Sequence, residues 1–338
     1  MAQAAYYEGN GTIRHGPGDM VEPASGEVQL KIAHCGICGT DLHIYHGAMD
    51  ARVQMPLVMG HEMSGTVHKL GAGVNDYSVG DPVVVMPLAP CGNCPACVAG
   101  HSHICHNLDF LGIDTPGAFQ SYWTVPAYTL HLMPDHLSLK HGALIEPLAV
   151  ACHDVRLAGV KAGDQVVVLG GGPIGMLVAL VSHNAGAEVL VSEINPYRVD
   201  LANQLGLDAL NPTEVDLIKL VMQRTKGTGA DIVFEVSGSQ AGASVMTELL
   251  RTRGLAVVVA IFAQQPKIDL FRFFWRELRL QGVRVYESED FSAAIELAAQ
   301  GALPLDELIT DIRPLQELQS GFEDMAKGGR IMKILLEL

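Results

Sequence analysis

The segment Val166-Val-Val-Leu-Gly170-Gly-Gly172-Pro173-Ile174-Gly175 constrains this chain more than any other. A continuous apolar run at 166–169 is the pattern of a strand buried on both faces, and the apolar stretch 174–184 that follows reads as a helix. The glycines between them fit G-x-G-x-x-G. They permit the tight turn, let backbone approach a pyrophosphate, and leave the helix N-terminus facing its negative charge. A plain tight turn is the other reading, but the strand-turn-helix context favours the nucleotide. Strands at 188–192, 232–236 and 256–260, with helical stretches between, extend the pattern into an α/β, parallel doubly wound sheet.

Glu193 stands eighteen positions after Gly175, at the end of the next strand. A carboxylate there accepts hydrogen bonds from the adenosine ribose and repels a 2′-phosphate, so NAD is favoured over NADP. Arg198, a turn into the following helix, either lies on or near the adenine or is a solvated helix residue.

Four of the seven cysteines fall within fifteen residues, as Cys91-x2-Cys94-x2-Cys97-x7-Cys105. Tight turns at Gly92 and Pro95 allow four thiolates to surround one zinc, and a closed four-sulfur site is structural because no position is left for substrate. Ordinary buried or disulfide-paired cysteines are the alternative, but two-residue spacings suit a metal better than disulfide geometry.

At 338 residues two domains are expected. The formal net charge of -15 argues against nucleic acid or an anionic membrane surface as a partner. The N-terminal residues lack the pattern of a signal peptide, and no apolar run is long enough to span a bilayer. With so many thiols, this points to a reducing cytoplasm. Residues 1–147 are rich in Gly, Pro, His and Cys, with short strands at 28–32, 65–70 and 82–86, the texture of a β-barrel-like domain. After about residue 282 the pattern is mixed again: an amphipathic helix at 290–300 and a terminal apolar strand at 331–336 read as a return to the first domain.

A second constellation lies in Ile37-Cys38-Gly-Thr40-Asp41-Leu-His43 and Gly60-His61-Glu62. Thiolate, imidazole and carboxylate are ligands for a catalytic zinc, which keeps an open position and polarises an alcohol or carbonyl oxygen. Thr40 and His43 are close enough in sequence for a hydroxyl-to-imidazole proton relay. Cys35 makes a C-x-x-C with Cys38, but without a redox-fold context it reads as a buried thiol or one beside the site.

These motifs, together with Glu146-Pro147, stand in an order that resembles the zinc-dependent medium-chain alcohol dehydrogenases, in the polyol, butanediol and threonine dehydrogenase branch. The resemblance covers essentially the whole chain. It implies a GroES-like β-barrel catalytic domain (1–147 and 286–338) and a Rossmann cofactor domain (148–285). It selects Cys38 rather than Cys35 as a zinc ligand, with His61 and Glu62 as the next two. Glu146 matches a carboxylate that binds the metal or holds its water, exchanging roles with Glu62 during turnover; a helix-start carboxylate is the alternative. Ile174, Ala260, Ile261, Val283 and Arg284 are implied along the cofactor.

The implied activity is NAD-dependent, reversible oxidation of a secondary alcohol, a diol or polyol, to the ketone, with two zinc ions per chain, one catalytic and one structural. A homotetramer or homodimer through the cofactor domains is also implied. The Phe-Arg-Tyr segment of sorbitol-type enzymes is Arg284-Val285-Tyr286 here, the arginine shifted by one position, so a smaller secondary alcohol or vicinal diol fits at least as well as a fully hydroxylated polyol. A threonine-type amino-alcohol oxidation and a non-catalytic zinc and nucleotide protein are the other readings. Tyr45, Phe110 and Trp275 are either pocket walls or plain core.

Overall fold

A computed structural model describes all 338 residues, and the chain divides into two compact units. The first comprises residues 1–146, 287–301 and 305–338, and the second residues 147–286 and 302–304. No helix is long and apolar enough to cross a membrane.

The first unit is organised by the strand Glu27–Gly36. Its inward positions Val28, Leu30 and Ile32 are buried while Lys31 faces out, the period-2 alternation of a sheet with one covered face. The strand pairs antiparallel with Glu62–Leu70 along its length, with Tyr122–Pro126 over its first half and with Lys333–Glu337 at its end. The sheet continues through Pro82–Val85 and Leu130–Leu132 on one side and Ile309–Pro314 on the other. The strands expected at 28–32, 65–70, 82–86 and 331–336 fall in these elements, each with slightly different ends. Residues after 286 therefore complete a sheet begun at residue 27. Phe322, from the helix Leu318–Lys327, is fully buried and stacks on Tyr45 at 4.7 Å between centroids.

The second unit carries a six-stranded, wholly parallel sheet. Its order is Asp208–Leu210, Glu188–Ser192, Gln165–Leu169, Ala230–Glu235, Leu250–Val258, Arg279–Gly282. Numbered within the unit this is 3-2-1-4-5-6, so the order reverses beside Gln165–Leu169, the place where open α/β sheets bind ligands. Val167, Leu169, Val233, Met246, Leu249 and Ala256 belong to its core. The apolar run 254–262, compatible with either an edge or a core strand, falls mostly in Leu250–Val258, which has neighbours on both sides. The two edges are Asp208–Leu210 and Arg279–Gly282, and all four residues of the latter are exposed.

Phe322→Ala is expected to destabilise the first unit by about 3–5 kcal/mol, the usual cost of truncating a buried aromatic. Urea unfolding should show an earlier transition in that unit while the second unit's transition stays in place.

Candidate active site

Cys38 stands two residues past the end of the organising strand. The Ile37 N–H donates to the Ile334 carbonyl at 3.0 Å, so the chain leaves the sheet at a fixed point. Cys38 then caps the helix Gly39–Tyr45: its Sγ accepts the Thr40 N–H at 3.4 Å, while its own N–H donates to Asp41 Oδ2 at 2.9 Å. This reciprocal capping box fixes both the sulfur and the Asp41 carboxylate. Asp41 is fully buried, and its Oδ1 lies 3.6 Å from His61 Nδ1. Neither atom has a hydrogen-bond partner, so each is the other's available partner. A carboxylate on one ring nitrogen fixes the tautomer and leaves the other nitrogen for a metal.

His61 leads into the strand Glu62–Leu70, whose Glu62 sits opposite Gly36 in the register. Ligand atoms of Cys38, His61 and Glu62 all lie within 4.8 Å of one another. Glu146, in the first turn of the helix Ile145–Ala158, is outside that group, but its charge acts on His61 and on Lys333.

Burial pushes the His61 pKa down, yet the net effect of Asp41, the Cys38 sulfur and Glu146 holds it well above the ordinary imidazole range. Asp41 is pushed up by burial, against the attraction of His61. Negative charge thus converges where a cation would be held, and thiolate, imidazole and carboxylate oxygen are a suitable donor set for zinc. Thr40 and His43 stand three apart on the same helix and so share a face, with Thr40 half-buried and His43 exposed.

Lys333, absent from the sequence reading, completes this cluster. It is 3% exposed, and its Nζ donates to Glu62 Oε2 at 2.6 Å, to Glu62 Oε1 at 2.8 Å and to the Ile37 carbonyl at 3.2 Å. Burial works to lower its pKa, but Glu62, Cys38 and Glu146 together raise it, so the ammonium stays charged. The Glu62 carboxylate lies so close over Gly36 that a Cβ there would meet Oε2 at 2.3 Å. A lone lysine in the apolar run 331–336 was the available signal. Asp41 lies inside the Cys38–His43 motif, where helix capping alone would account for an aspartate.

The four sulfurs of Cys91, Cys94, Cys97 and Cys105 form a second cluster, with Sγ–Sγ contacts of 3.4, 3.5 and 3.7 Å. Disulfide sulfurs would be about 2.05 Å apart, whereas a tetrahedron with Zn–S of about 2.3 Å has edges of about 3.8 Å. All four cysteines are free thiols. Backbone N–H groups of Cys91, His106 and Asn107 point at these sulfurs, at 3.3 to 3.4 Å. The N–H groups of Cys97 and His106 pull Cys94 down to about 6, while burial first, and then its sulfur neighbours, push Cys97 up to about 12. Thiols so close cannot all ionise without a shared cation, which is the condition a structural zinc meets.

In the second unit the glycine run joins Gln165–Leu169 to the helix Pro173–Asn184. Gly170 sits at φ 103°, where side chains other than glycine are strained, and a Cβ on Gly175 would lie 1.8 Å from the Gly170 carbonyl oxygen. Gly172 caps the helix without a side chain, with Pro173 and Ile174 opening the first turn, so that turn's N–H groups have no side-chain cap. Glu193 accepts the Gly171 N–H at 2.7 Å and the Asn195 N–H at 2.8 Å. A cavity of about 620 Å³ is lined by Gly170, Gly172, Glu193, Arg198 and Ser237 among others. Arg198 reaches back over the turn, its Nη1 3.7 Å from where a Gly172 Cβ would be.

Ala260, Ile261, Val283 and Arg284 do not line this cavity; they follow the strands Leu250–Val258 and Arg279–Gly282 at the same end of the sheet. Val285 beside Arg284 adopts φ 50°, a strained conformation for a β-branched residue. Of the three aromatic candidates only Phe110 is seen against a candidate ligand, edge-on to His61 at 5.2 Å. Tyr45 is core, and Trp275 is exposed on the second unit, stacked on Phe271.

Residues 24–135 match the alcohol dehydrogenase GroES-like domain and residues 173–300 the zinc-binding dehydrogenase family. The chain is 53% identical over 334 residues to the 2-dehydro-3-deoxy-L-galactonate 5-dehydrogenase of Pseudoalteromonas atlantica, covering 99% of this chain and 98% of that one. It is 35% identical to the L-threonine 3-dehydrogenase of Pyrococcus furiosus, over 95% and 93% of the two chains. Among solved structures, 2R,3R-butanediol dehydrogenase from Bacillus subtilis superposes with a TM-score of 0.92 at 32% identity, covering all of both chains. A zinc-binding dehydrogenase from Sinorhizobium meliloti bound to NADP gives 0.93 at 32% identity, over 100% of this chain and 99% of that one.

Asp41→Asn is expected to weaken metal binding at Cys38 and His61 by about 10–100-fold, the usual loss when the partner of a ligating histidine is changed; competition with a zinc chelator measures it. Cys97→Ser should lose one metal equivalent per chain by elemental analysis and lower the melting temperature, while leaving the Cys38 site loaded.

Proposed function

The chain belongs to the zinc-dependent medium-chain alcohol dehydrogenases, and on that premise we propose that it oxidises a secondary hydroxyl of a deoxy sugar acid to the ketone, reversibly, with NAD. The convergence of Cys38, His61 and Glu62 carries the reading of the reaction. The 53% identity to a 2-dehydro-3-deoxy-L-galactonate 5-dehydrogenase, end to end, supports the substrate class.

Zinc held by Cys38 and His61, with Glu62 or Glu146, would supply Lewis acidity at the substrate oxygen, and NAD the hydride acceptor. The chain's own residues do the rest. Asp41 orients His61. Thr40 takes the hydroxyl proton and passes it along the shared helix face to His43, whose exposed ring returns it to solvent. Charge and shape in the second unit hold the cofactor. The first turn of the helix Pro173–Asn184 offers its N–H groups to the pyrophosphate. Glu193, already bonded to the Gly171 and Asn195 amides, is supported in position to receive ribose hydroxyls and to repel a 2′-phosphate. Arg198 borders the same cavity; a cation there would favour a phosphate, so the preference for NAD rests on Glu193.

A second zinc, in the four-cysteine cluster, is structural in this reading, and the reduced thiols suit a cytoplasmic protein. Assembly into a homodimer or homotetramer is supported by the open edge strand Arg279–Gly282 and by Leu270, Phe271, Phe274 and Trp275, all exposed on the neighbouring helix Leu270–Arg276. Threonine-type oxidation is the second reading, supported by the Pyrococcus relative.

NADH formation should be fastest with 2-dehydro-3-deoxy sugar acids, against butanediols, sorbitol and threonine; a clear preference for threonine would select the second reading. Glu193→Ala should raise kcat/KM with NADP relative to NAD by about 10–100-fold, the worth of hydrogen bonds to a charged group.

A further inference from the structure

Glu62 is offered to two cations at once. Its ligand oxygen lies within reach of the point defined by Cys38 and His61, yet both of its oxygens accept hydrogen bonds from the buried Lys333 ammonium. The third Lys333 donor goes to the Ile37 carbonyl, so the ammonium is fully engaged and held in place. Its backbone is fixed as firmly: the Lys333 carbonyl accepts the Thr310 hydroxyl, and Ile334 receives the Ile37 N–H. Gly36, with no side chain, leaves the space into which the carboxylate is drawn.

We infer that Lys333 is a positioning residue that competes with the metal for Glu62, keeping this carboxylate an exchangeable ligand rather than a permanent one. The charges explain why this matters. A zinc dication with the Cys38 thiolate and an unopposed Glu62 carboxylate would be neutral, a poor partner for a substrate oxygen that gains negative charge. Lys333 cancels Glu62 and leaves one positive charge at the site, and it gives the displaced carboxylate a paired, buried place to go. The inference rests on Cys38 and His61 being metal ligands.

The test uses the metal-loaded full-length protein and reads metal binding, not turnover. Cobalt exchanged into the Cys38 site reports a single thiolate ligand, distinct from the intense absorption of a four-thiolate site. Cys38→Ser is the control: if that variant keeps the one-thiolate cobalt signal, the ligand assignment itself is wrong, whatever Lys333 does. With the control passed, Lys333→Met is expected to hold metal at least about tenfold more tightly against a competing chelator, as Glu62 becomes a full ligand. Lys333→Arg, which keeps the charge, should stay close to the parent. In a Glu62→Gln background the methionine substitution should give no gain. Unchanged or weaker binding in folded Lys333→Met, or an equal gain in the Glu62→Gln background, overturns the inference. Lys333→Gln, which retains an N–H for Glu62 without the charge, answers the same question if the methionine variant does not fold.

Discussion

The register of one strand sets the chemistry of the first unit. Glu27–Gly36 is held by three neighbours, and its last residue, Gly36, faces Glu62 on one side and Leu335 on the other. That alignment brings Cys38, His61, Glu62 and Lys333 together from three separate parts of the sequence. A slip of one residue would turn every side chain of a strand to the opposite face. It would separate Glu62 from Lys333 and leave two unpaired charges in the interior. The dense burial of Val28, Leu30 and Ile32 along the same strand is what makes such a slip costly.

The two cysteine-containing clusters handle charge in opposite ways. Around Cys91, Cys94, Cys97 and Cys105 the groups bonded to sulfur are backbone N–H donors and the Asn107 amide, neutral groups that stabilise sulfur anions. Around Cys38 the surroundings are ionisable: Asp41 on His61, Lys333 on Glu62, Glu146 nearby. A cluster enclosed by neutral donors favours one fixed arrangement. One enclosed by opposed charges offers a carboxylate more than one partner, as Glu62 has in Lys333 and in the point faced by Cys38 and His61.

Much of this was legible in the sequence, for reasons specific to each element. The six-stranded sheet announced itself through apolar runs such as 166–169 and 189–191, which are buried, and the glycine run marked where it reverses order. The cysteine cluster is local, so spacing alone sufficed. Cys38, His61 and Glu62 came through their motifs and the family they resemble. Lys333 did not, because its partner lies 271 residues away and no local pattern encodes a long-range ion pair. Asp41 was hidden by doing two things at once, since capping a helix would by itself account for an aspartate at that position. Trp275 misled in the other direction: a large aromatic near the end of a helix says nothing about whether it faces a pocket or solvent.

The first unit is interrupted in sequence, whereas the second is almost wholly continuous from residue 147 to 286. On a ribosome these two facts impose an order. The parallel sheet has all its strands by residue 282, while the first unit's sheet still lacks both Ile309–Pro314 and Lys333–Glu337. Until the second of these arrives, Glu62 has no ammonium partner and Ile37 no carbonyl to bond. The second unit's sheet can therefore be complete while the first unit's is unfinished, and the strand that carries Lys333 is the one that closes the cluster of Cys38, His61 and Glu62.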